Sequence, residues 1–139
     1  MKWLAVDYGD SRTGLAGCDA GETITSPITP QIEEKSMNKV AAAVTAVAQV
    51  RGAEALVCGL PKNMDGTLGP RAEKAQAMGE LLKTVTGLPV TLWDERRTTI
   101  DAHQILMGAG KNAKKRKKTV DAVAATLILE GFLTYKKSR

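Results

Sequence analysis

Residues that bind transition metals or form disulfides are scarce in this chain of 139 residues, which contains one histidine and two cysteines. His103 has no second histidine or cysteine at the spacing of a zinc site, which argues against zinc. Cys18 and Cys58 lie far apart, each in an apolar segment, as is typical of buried reduced thiols rather than of a secreted disulfide framework. Any bound metal must therefore be held by carboxylate oxygens.

Long apolar runs are also lacking, since none approaches the roughly 20 residues of a membrane-spanning helix. Charged residues at Lys2, Asp7 and Asp10 interrupt any start that resembles a signal peptide. The apolar share of 43% and the charged share of 25% are those of an ordinary globular protein. We therefore expect one domain over residues 1–139, with one core, in the cytoplasm.

Negative charge is in short supply, because the formal net charge is +5. The excess is concentrated in one basic run, made of Lys111, Lys114, Lys115, Arg116, Lys117 and Lys118. We predict a basic loop over residues 108–118 that attracts polyanions, of which nucleic acid is the commonest large one in cytoplasm. A solvated loop that only aids solubility would account for the charge run equally well.

The apolar segments predict a mixed sheet. WLAVD (3–7), TGLAGCD (13–19) and ETITSPI (22–28) read as an antiparallel meander whose third strand is stopped by Pro27 and Pro30. EALVCGLP (54–61) and VTLWDE (90–95) are continuous apolar runs, which indicates strands buried on both faces.

Helices alternate with the later strands. Ser36 predicts the start of a helix that ends at Arg51 and Gly52, and a second helix is expected from Pro70 to Thr86, before Gly87. A third would run from Thr98 or Thr99 to Met107, and a last one would be capped by Thr119. The predicted fold class is α/β, with three antiparallel strands, then parallel strands, flanked by helices.

Two acids end predicted buried strands, at Asp7 and Glu95. Ligands gather at the carboxyl ends of parallel strands, so these carboxylates can converge. Asp121 falls in the first turn of the last predicted helix, where it joins them or only stabilises the helix end. Converging carboxylates repel one another unless a divalent cation neutralises them, and Mg²⁺ or Mn²⁺ is the natural occupant. Such a centre supports in-line phosphodiester hydrolysis without a nucleophilic side chain.

Basic and small residues near these acids are candidate substrate contacts. The guanidinium of Arg12 can hold a phosphate through two donors. Gly9 and Gly14 flank the same turn, where they either let a phosphate backbone approach or only satisfy the turn.

Further candidate contacts follow the later strands. Lys62 and Asn63 start a loop after a buried strand, a place where loops often carry function, although Asp65-Gly66 is also an ordinary turn pair. Arg96 is expected to orient Glu95 or bind phosphate, with a surface ion pair equally consistent.

Four segments resemble the four motifs of the YqgF-type family of Holliday-junction resolvases, also described as pre-16S rRNA nucleases. These segments are DYGDSRTGLA (7–16), GLPKNMDGT (59–67), DERRTT (94–99) and DAVAA (121–125), and the resemblance covers essentially the whole chain. It implies a ribonuclease-H-like fold, a bacterial cytoplasmic location and nuclease activity that depends on Mg²⁺ or Mn²⁺. The acids that bind the metal in this family map onto Asp7, Glu95 and Asp121.

Two residues depart from the family pattern, since Thr13 and Arg97 stand where an apolar residue is more usual. Related resolvases use four acids, and Asp94 and Asp101 are the weaker candidates for the fourth.

The leading hypothesis is an endonuclease that recognises a structured RNA precursor or branched DNA by shape. A non-catalytic RNA-binding protein of ribosome assembly is the alternative. An ATP-dependent phosphotransferase of related fold would need two such domains around a cleft. Whether the protein is a monomer or a homodimer stays open.

Overall fold

The computed structural model describes residues 1–94 and 113–138, and for residues 113–123 it describes the backbone alone. Five strands and three helices make up this part of the chain. In chain order they are β1 (Trp3–Asp7), β2 (Thr13–Cys18), β3 (Thr25–Ile32), α1 (Met37–Arg51), β4 (Ala55–Leu60), α2 (Pro70–Thr86), β5 (Val90–Asp94) and α3 (Ala113–Lys137). The helix predicted between Thr98 and Met107 lies outside the described residues.

The sheet has the strand order β3-β2-β1-β4-β5. β2 pairs antiparallel with both β1 and β3, whereas β4 pairs parallel with both β1 and β5. The predicted mixed sheet of three antiparallel strands followed by parallel ones is therefore confirmed. The parallel strands β1, β4 and β5 all finish at one edge of the sheet, named here the carboxyl edge, and begin at the amino edge.

β3 continues through two prolines, because it extends to Ile32 and contains Pro27 and Pro30. The prediction that these prolines stop the strand is wrong. β3 is the outermost strand on its side of the described sheet, so only one of its sides is paired and a missing N–H can face away from β2. The pairing also shifts register between Thr13 and Leu15 of β2, which accommodates the irregular stretch.

Helices cover both faces of the sheet. α1 and α2 pack on one face, where the core contains Leu4, Val6, Leu15, Val40, Val44, Leu56, Met78 and Leu82. α3 packs on the other face, where the core contains Trp3, Ala5, Ala16, Val57, Ala125, Ile128, Leu129, Phe132 and Leu133. Every residue of β4 is buried, which confirms that strand as doubly covered.

β5 is less buried than predicted. None of its five residues is fully buried, and Leu92 is 36% exposed. The prediction of a strand buried on both faces is wrong here because β5 is the last strand on its side of the described sheet.

The predicted ends of α1 and α2 are confirmed. The hydroxyl of Ser36 accepts a hydrogen bond from the backbone N–H of Lys39, and Gly52 closes α1 in a left-handed conformation with φ 67°. Gly87 ends α2 in the same way with φ 71°. A residue with a side chain adopts such a φ at a cost, so glycine suits both positions.

α3 begins at Ala113, six residues before the predicted cap at Thr119. The helix therefore includes residues 114–118, and the prediction of a loop there is wrong for that stretch. Lysine and arginine are good helix formers, and no glycine or proline lies between Gly110 and Gly131. Although α3 has 25 residues, neither it nor another described helix is long and apolar enough to cross a membrane.

Candidate active site at the carboxyl edge

Asp7 is the last residue of β1, the central strand of the described sheet, and its side chain is half-buried. Residues alternate between the two faces of a strand, so Asp7 shares the α3 face with Trp3 and Ala5. It pairs with Gly14 of β2, and the next step of the parallel register sets it beside Gly59 of β4. Neither glycine places a side chain beside the Asp7 carboxylate on this face.

The course of α3 brings position 121 toward the same place. The Phe132 ring lies 4.7 Å from the Trp3 ring at the start of β1, so α3 runs from the carboxyl edge toward the amino edge. Asp121 precedes Ala125 by one helical turn, and Ala125 is fully buried against the sheet. Position 121 is roughly 16 Å from position 132 along the helix, and β1 is roughly 13 Å long, so position 121 is level with the end of β1.

Of the remaining acids, Glu95 lies outside the described residues, directly after the last residue of β5. Asp94 is level with Leu60 of β4 and shares the face of Leu92, which contacts α2. This is the face opposite to that of Asp7. The structure therefore does not bring Asp94 and Asp7 together, and Asp101, the other candidate for a fourth acid, is outside the described residues.

The donors at this edge suit a hard divalent cation. Carboxylate oxygens are the ligands that Mg²⁺ and Mn²⁺ prefer, and Asp7 offers them beside two glycines. Among the described side chains, no three His, Cys, Asp or Glu groups are clustered to hold a metal ion. That set of side chains includes only Asp7 of the three predicted ligands. Asp7 and its surroundings fit the predicted metal.

Arg12 lies in the turn between β1 and β2, and it is half-buried. Its Nη1 atom is shielded from solvent and has no hydrogen-bond partner in the described structure. A side chain at Gly9 would collide with the carbonyl oxygen of Arg12. Of the two interpretations of Gly9, the requirement of the turn is the one that this contact supports.

The loop after β4 is organised by its own hydrogen bonds. The side-chain amide of Asn63 donates to the Thr67 hydroxyl at 3.0 Å, and that hydroxyl donates to Asp65 at 2.6 Å. Gly66 has φ 90°, a conformation that favours glycine. Asn63 therefore shapes the loop, whereas Lys62 is half-buried at the sheet edge.

The remaining predicted contacts are placed only in part. Lys114, Lys115, Arg116, Lys117 and Lys118 occupy the first turns of α3, and Arg96 lies outside the described residues. Lys74 of α2 reaches Asp10 of the β1–β2 turn at 3.2 Å, and both side chains are more than half exposed. Gly59 was missed in the sequence, although its place one residue before the end of a buried strand, level with Asp7, could have indicated it.

Two titrating groups lie away from this edge. Burial raises the pKa of the Cys58 thiol to about 12, which keeps it protonated inside the core as expected of a structural cysteine. Backbone N–H groups of Ile24 and Thr23, with the Thr23 hydroxyl, hold the pKa of Asp19 well below its usual range. Asp19 thereby closes the turn between β2 and β3 rather than serving the acid centre.

Comparison with known proteins places the chain among nucleases. Residues 1–135 match the RuvX family, described as a Holliday junction resolvase. The chain is 40% identical over 139 residues to a "Putative pre-16S rRNA nuclease" of Caldanaerobacter subterraneus subsp. tengcongensis, with 99% of each chain covered. It is 39% identical over 133 residues to a protein of the same name from Clostridium kluyveri, with 96% of each chain covered.

The fold is shared with a solved resolvase. The structure of T. thermophilus RuvC in complex with Holliday junction substrate superimposes with a TM-score of 0.60, at 13% identity and with 96% of both chains covered. At that identity the likeness shows the fold alone. It confirms the ribonuclease-H-like architecture that the sequence predicts.

Proposed function

The chain belongs to the RuvX family, described as Holliday junction resolvases, and on that premise we propose a metal-dependent endonuclease that hydrolyses phosphodiester bonds of structured nucleic acid. The observation that carries the proposal is Asp7, which ends the central strand between Gly14 and Gly59. A carboxylate at the edge where parallel strands end suits a metal and a phosphate.

Three acids would hold Mg²⁺ or Mn²⁺, namely Asp7, Glu95 and Asp121. When bound, such ions supply an activated water and stabilise the charge that develops on the phosphate. Asp7 would be the fixed ligand, because its strand is paired on both sides. Two facts support this set: α3 runs from the carboxyl edge toward the amino edge, and Glu95 directly follows the last residue of β5 in the sequence.

Substrate binding would fall to cations around the same edge. Arg12 lies in the β1–β2 turn at this edge, and Lys62 follows β4. We propose that the cations of residues 114–118 and Arg96 also contact the substrate, together with Asn63 of the loop after β4. Such groups contact phosphates and therefore favour recognition by shape. The biological role we propose is 5′-end processing of the 16S rRNA precursor, resolution of Holliday junctions, or both, in the cytoplasm.

Cleavage of a labelled panel tests the proposal. The panel contains a four-way DNA junction, duplex DNA, single-stranded RNA and a 5′-extended 16S rRNA precursor, each with Mg²⁺ or Mn²⁺. We expect Asp7→Asn to lower the cleavage rate by about 1000-fold, which corresponds to about 4 kcal/mol of transition-state stabilisation. Asp10→Asn is the matched control, because Asp10 lies at the same edge but is exposed and paired with Lys74.

Thermal unfolding adds a readout that does not depend on the substrate. Mn²⁺ should raise the Tm of the wild type and of the Asp10→Asn control. The rise should be smaller for Asp7→Asn. Nucleic acid that is bound tightly but left intact by the wild type across the panel would overturn the nuclease and favour an RNA-binding protein of ribosome assembly.

A further inference from the structure

A second concave surface lies at the carboxyl edge, between the β1–β2 turn and the start of α1. It forms a pocket of about 590 Å³ that is lined by three cations and two acids. The cations are Arg12, Lys35 and Lys39, and the acids are Glu33 and Glu34. We name this surface the α1 pocket. Of its cations, only Arg12 was a predicted substrate contact.

Arg12 lines this pocket and contributes one of its positive charges. Its Nη1 atom is shielded from solvent and has no acceptor in the described structure. Because Arg12 lines the pocket, its guanidinium group can contact an anionic oxygen bound there, and a guanidinium suits a phosphate because its donors form a planar fork.

The two lysines place further positive charge around Arg12. Both Lys35 and Lys39 are exposed, and the capping bond from the Lys39 N–H to the Ser36 hydroxyl fixes where α1 starts. The two glutamates oppose this charge, since Glu33 is exposed and Glu34 is half-buried. The three cations exceed the two acids by one charge, so the pocket favours an anion but not a strongly charged one.

The position of the pocket links it to the acid centre. Asp7 pairs with Gly14, and Arg12 lies two residues before Gly14 in the chain. The Cα atoms of Arg12 and Asp7 are therefore roughly 9 Å apart. We propose that the α1 pocket binds a phosphodiester group of the substrate strand next to the one that is cleaved. A singly charged phosphodiester matches the small positive excess. The inference rests on the proposed function. It implies that the bound nucleic-acid strand extends from Asp7 toward the start of α1.

Binding measured in EDTA, where no cleavage occurs, tests the pocket separately from the chemistry. The ligands are a four-way DNA junction and a 5′-extended 16S rRNA precursor fragment, and the two arms distinguish DNA from RNA. The double variant Lys35→Gln/Lys39→Gln should raise Kd about tenfold and lower the salt slope by about two. The matched control is Lys2→Gln/Lys83→Gln, which removes the same charge from exposed residues outside the pocket.

A change of the opposite sign provides the second arm. Glu34→Gln should lower Kd by roughly threefold, because it removes a carboxylate that repels the phosphate. Equal Kd values for the two double variants, or weaker binding by Glu34→Gln, would overturn the α1 pocket. Failure of the proposed nuclease would show differently, as intact binding and an intact salt response without cleavage by the wild type in Mn²⁺ or Mg²⁺.

Discussion

The two edges of the sheet differ in how their polar groups are used. At the amino edge, polar contacts tie α3 to the β2–β3 region: Lys136 pairs with Glu22 at 3.1 Å, and Thr25 donates to Glu130 at 2.7 Å. At the carboxyl edge, Asp7 lies between glycines and the Arg12 Nη1 has no partner in the described structure. The contacts that tie α3 to β2 and β3 therefore lie at the amino edge, whereas the groups proposed to serve a ligand lie at the carboxyl edge.

The difference matters because a protein of this size is only marginally stable. A site that gathers acids and leaves a guanidinium nitrogen unpaired lowers stability, and contacts elsewhere must offset that cost. The aromatic contacts of Phe132 with Trp3 and Trp93 are candidates for this role, since they join α3 to β1 and β5. The comparison predicts that substitutions at the amino edge affect stability and that those at the carboxyl edge affect activity.

The largest effect on stability is expected for Phe132→Ala. Phe132 is 6% exposed and its ring lies 4.7 Å from that of Trp3, so truncation leaves a cavity under α3. The free energy of unfolding in urea should fall by about 3–5 kcal/mol. Phe132→Leu, which keeps most of the volume, is the control and should cost less than half as much. A loss below 1 kcal/mol for the alanine variant would break the assignment of this region as the anchor of α3.

A smaller loss is expected for Glu22→Gln, about 1 kcal/mol at neutral pH. Burial raises the pKa of Glu22, but the hydrogen bond and charge of Lys136 outweigh it, so the pKa lies below its ordinary value of 4.5. A lowered folded-state pKa gives stability that is present above 4.5 and is lost as the pH falls below it.

Urea unfolding from pH 7 to pH 3 checks this prediction. The difference between the wild type and Glu22→Gln should shrink as the pH falls, whereas the exposed Glu80→Gln should show little difference at any pH. A difference that is constant with pH would mean that the side chain acts through packing rather than through its charge.

The smallest effect is a gain of stability, expected for Thr13→Val at the carboxyl edge. Thr13 is fully buried and its hydroxyl has no partner in the described structure. Valine has the same shape without the hydroxyl, so the free energy of unfolding should rise by about 1 kcal/mol. Thr45→Val is the contrast, because the Thr45 hydroxyl donates to the Ala41 carbonyl at 2.7 Å. A gain at Thr45 equal to that at Thr13 would show that the missing partner is not the cause.

Local rules predicted most of the described fold. The caps at Ser36, Gly52 and Gly87 and the buried strand β4 follow from turn chemistry and apolar pattern, which act over a few residues. Errors arose where the position of a strand in the sheet determines its burial or its tolerance of proline. Pro27 and Pro30 are tolerated because β3 is an outer strand, and strand order is not visible in the local sequence.

The candidate site was predictable to a smaller extent. Asp7 could be predicted because an acid ending a buried strand is a local pattern. Gly14 was predicted to lie near the acids because it flanks the turn after Asp7, whereas Gly59 was missed because it comes from a strand that is distant in sequence. The α1 pocket was missed for the same reason, since Lys35 and Lys39 are far from Arg12 in sequence. Thr13 is buried, which is consistent with the apolar residue that the family usually has at this position.

Because α3 is one continuous helix, the angle of the basic run around the helix axis depends on the number of residues between that run and the buried part of the helix. The same helix carries residues 114–118 and the stretch from Ala125 to Leu133 that is buried on the sheet, over a length of roughly 37 Å. One residue inserted between 119 and 124 would rotate the run by about 100° around the helix axis, and four inserted residues would nearly restore its direction. The number of residues between the two segments therefore sets the angle between them around the helix axis. Substitutions leave this angle unchanged, whereas insertions and deletions change it.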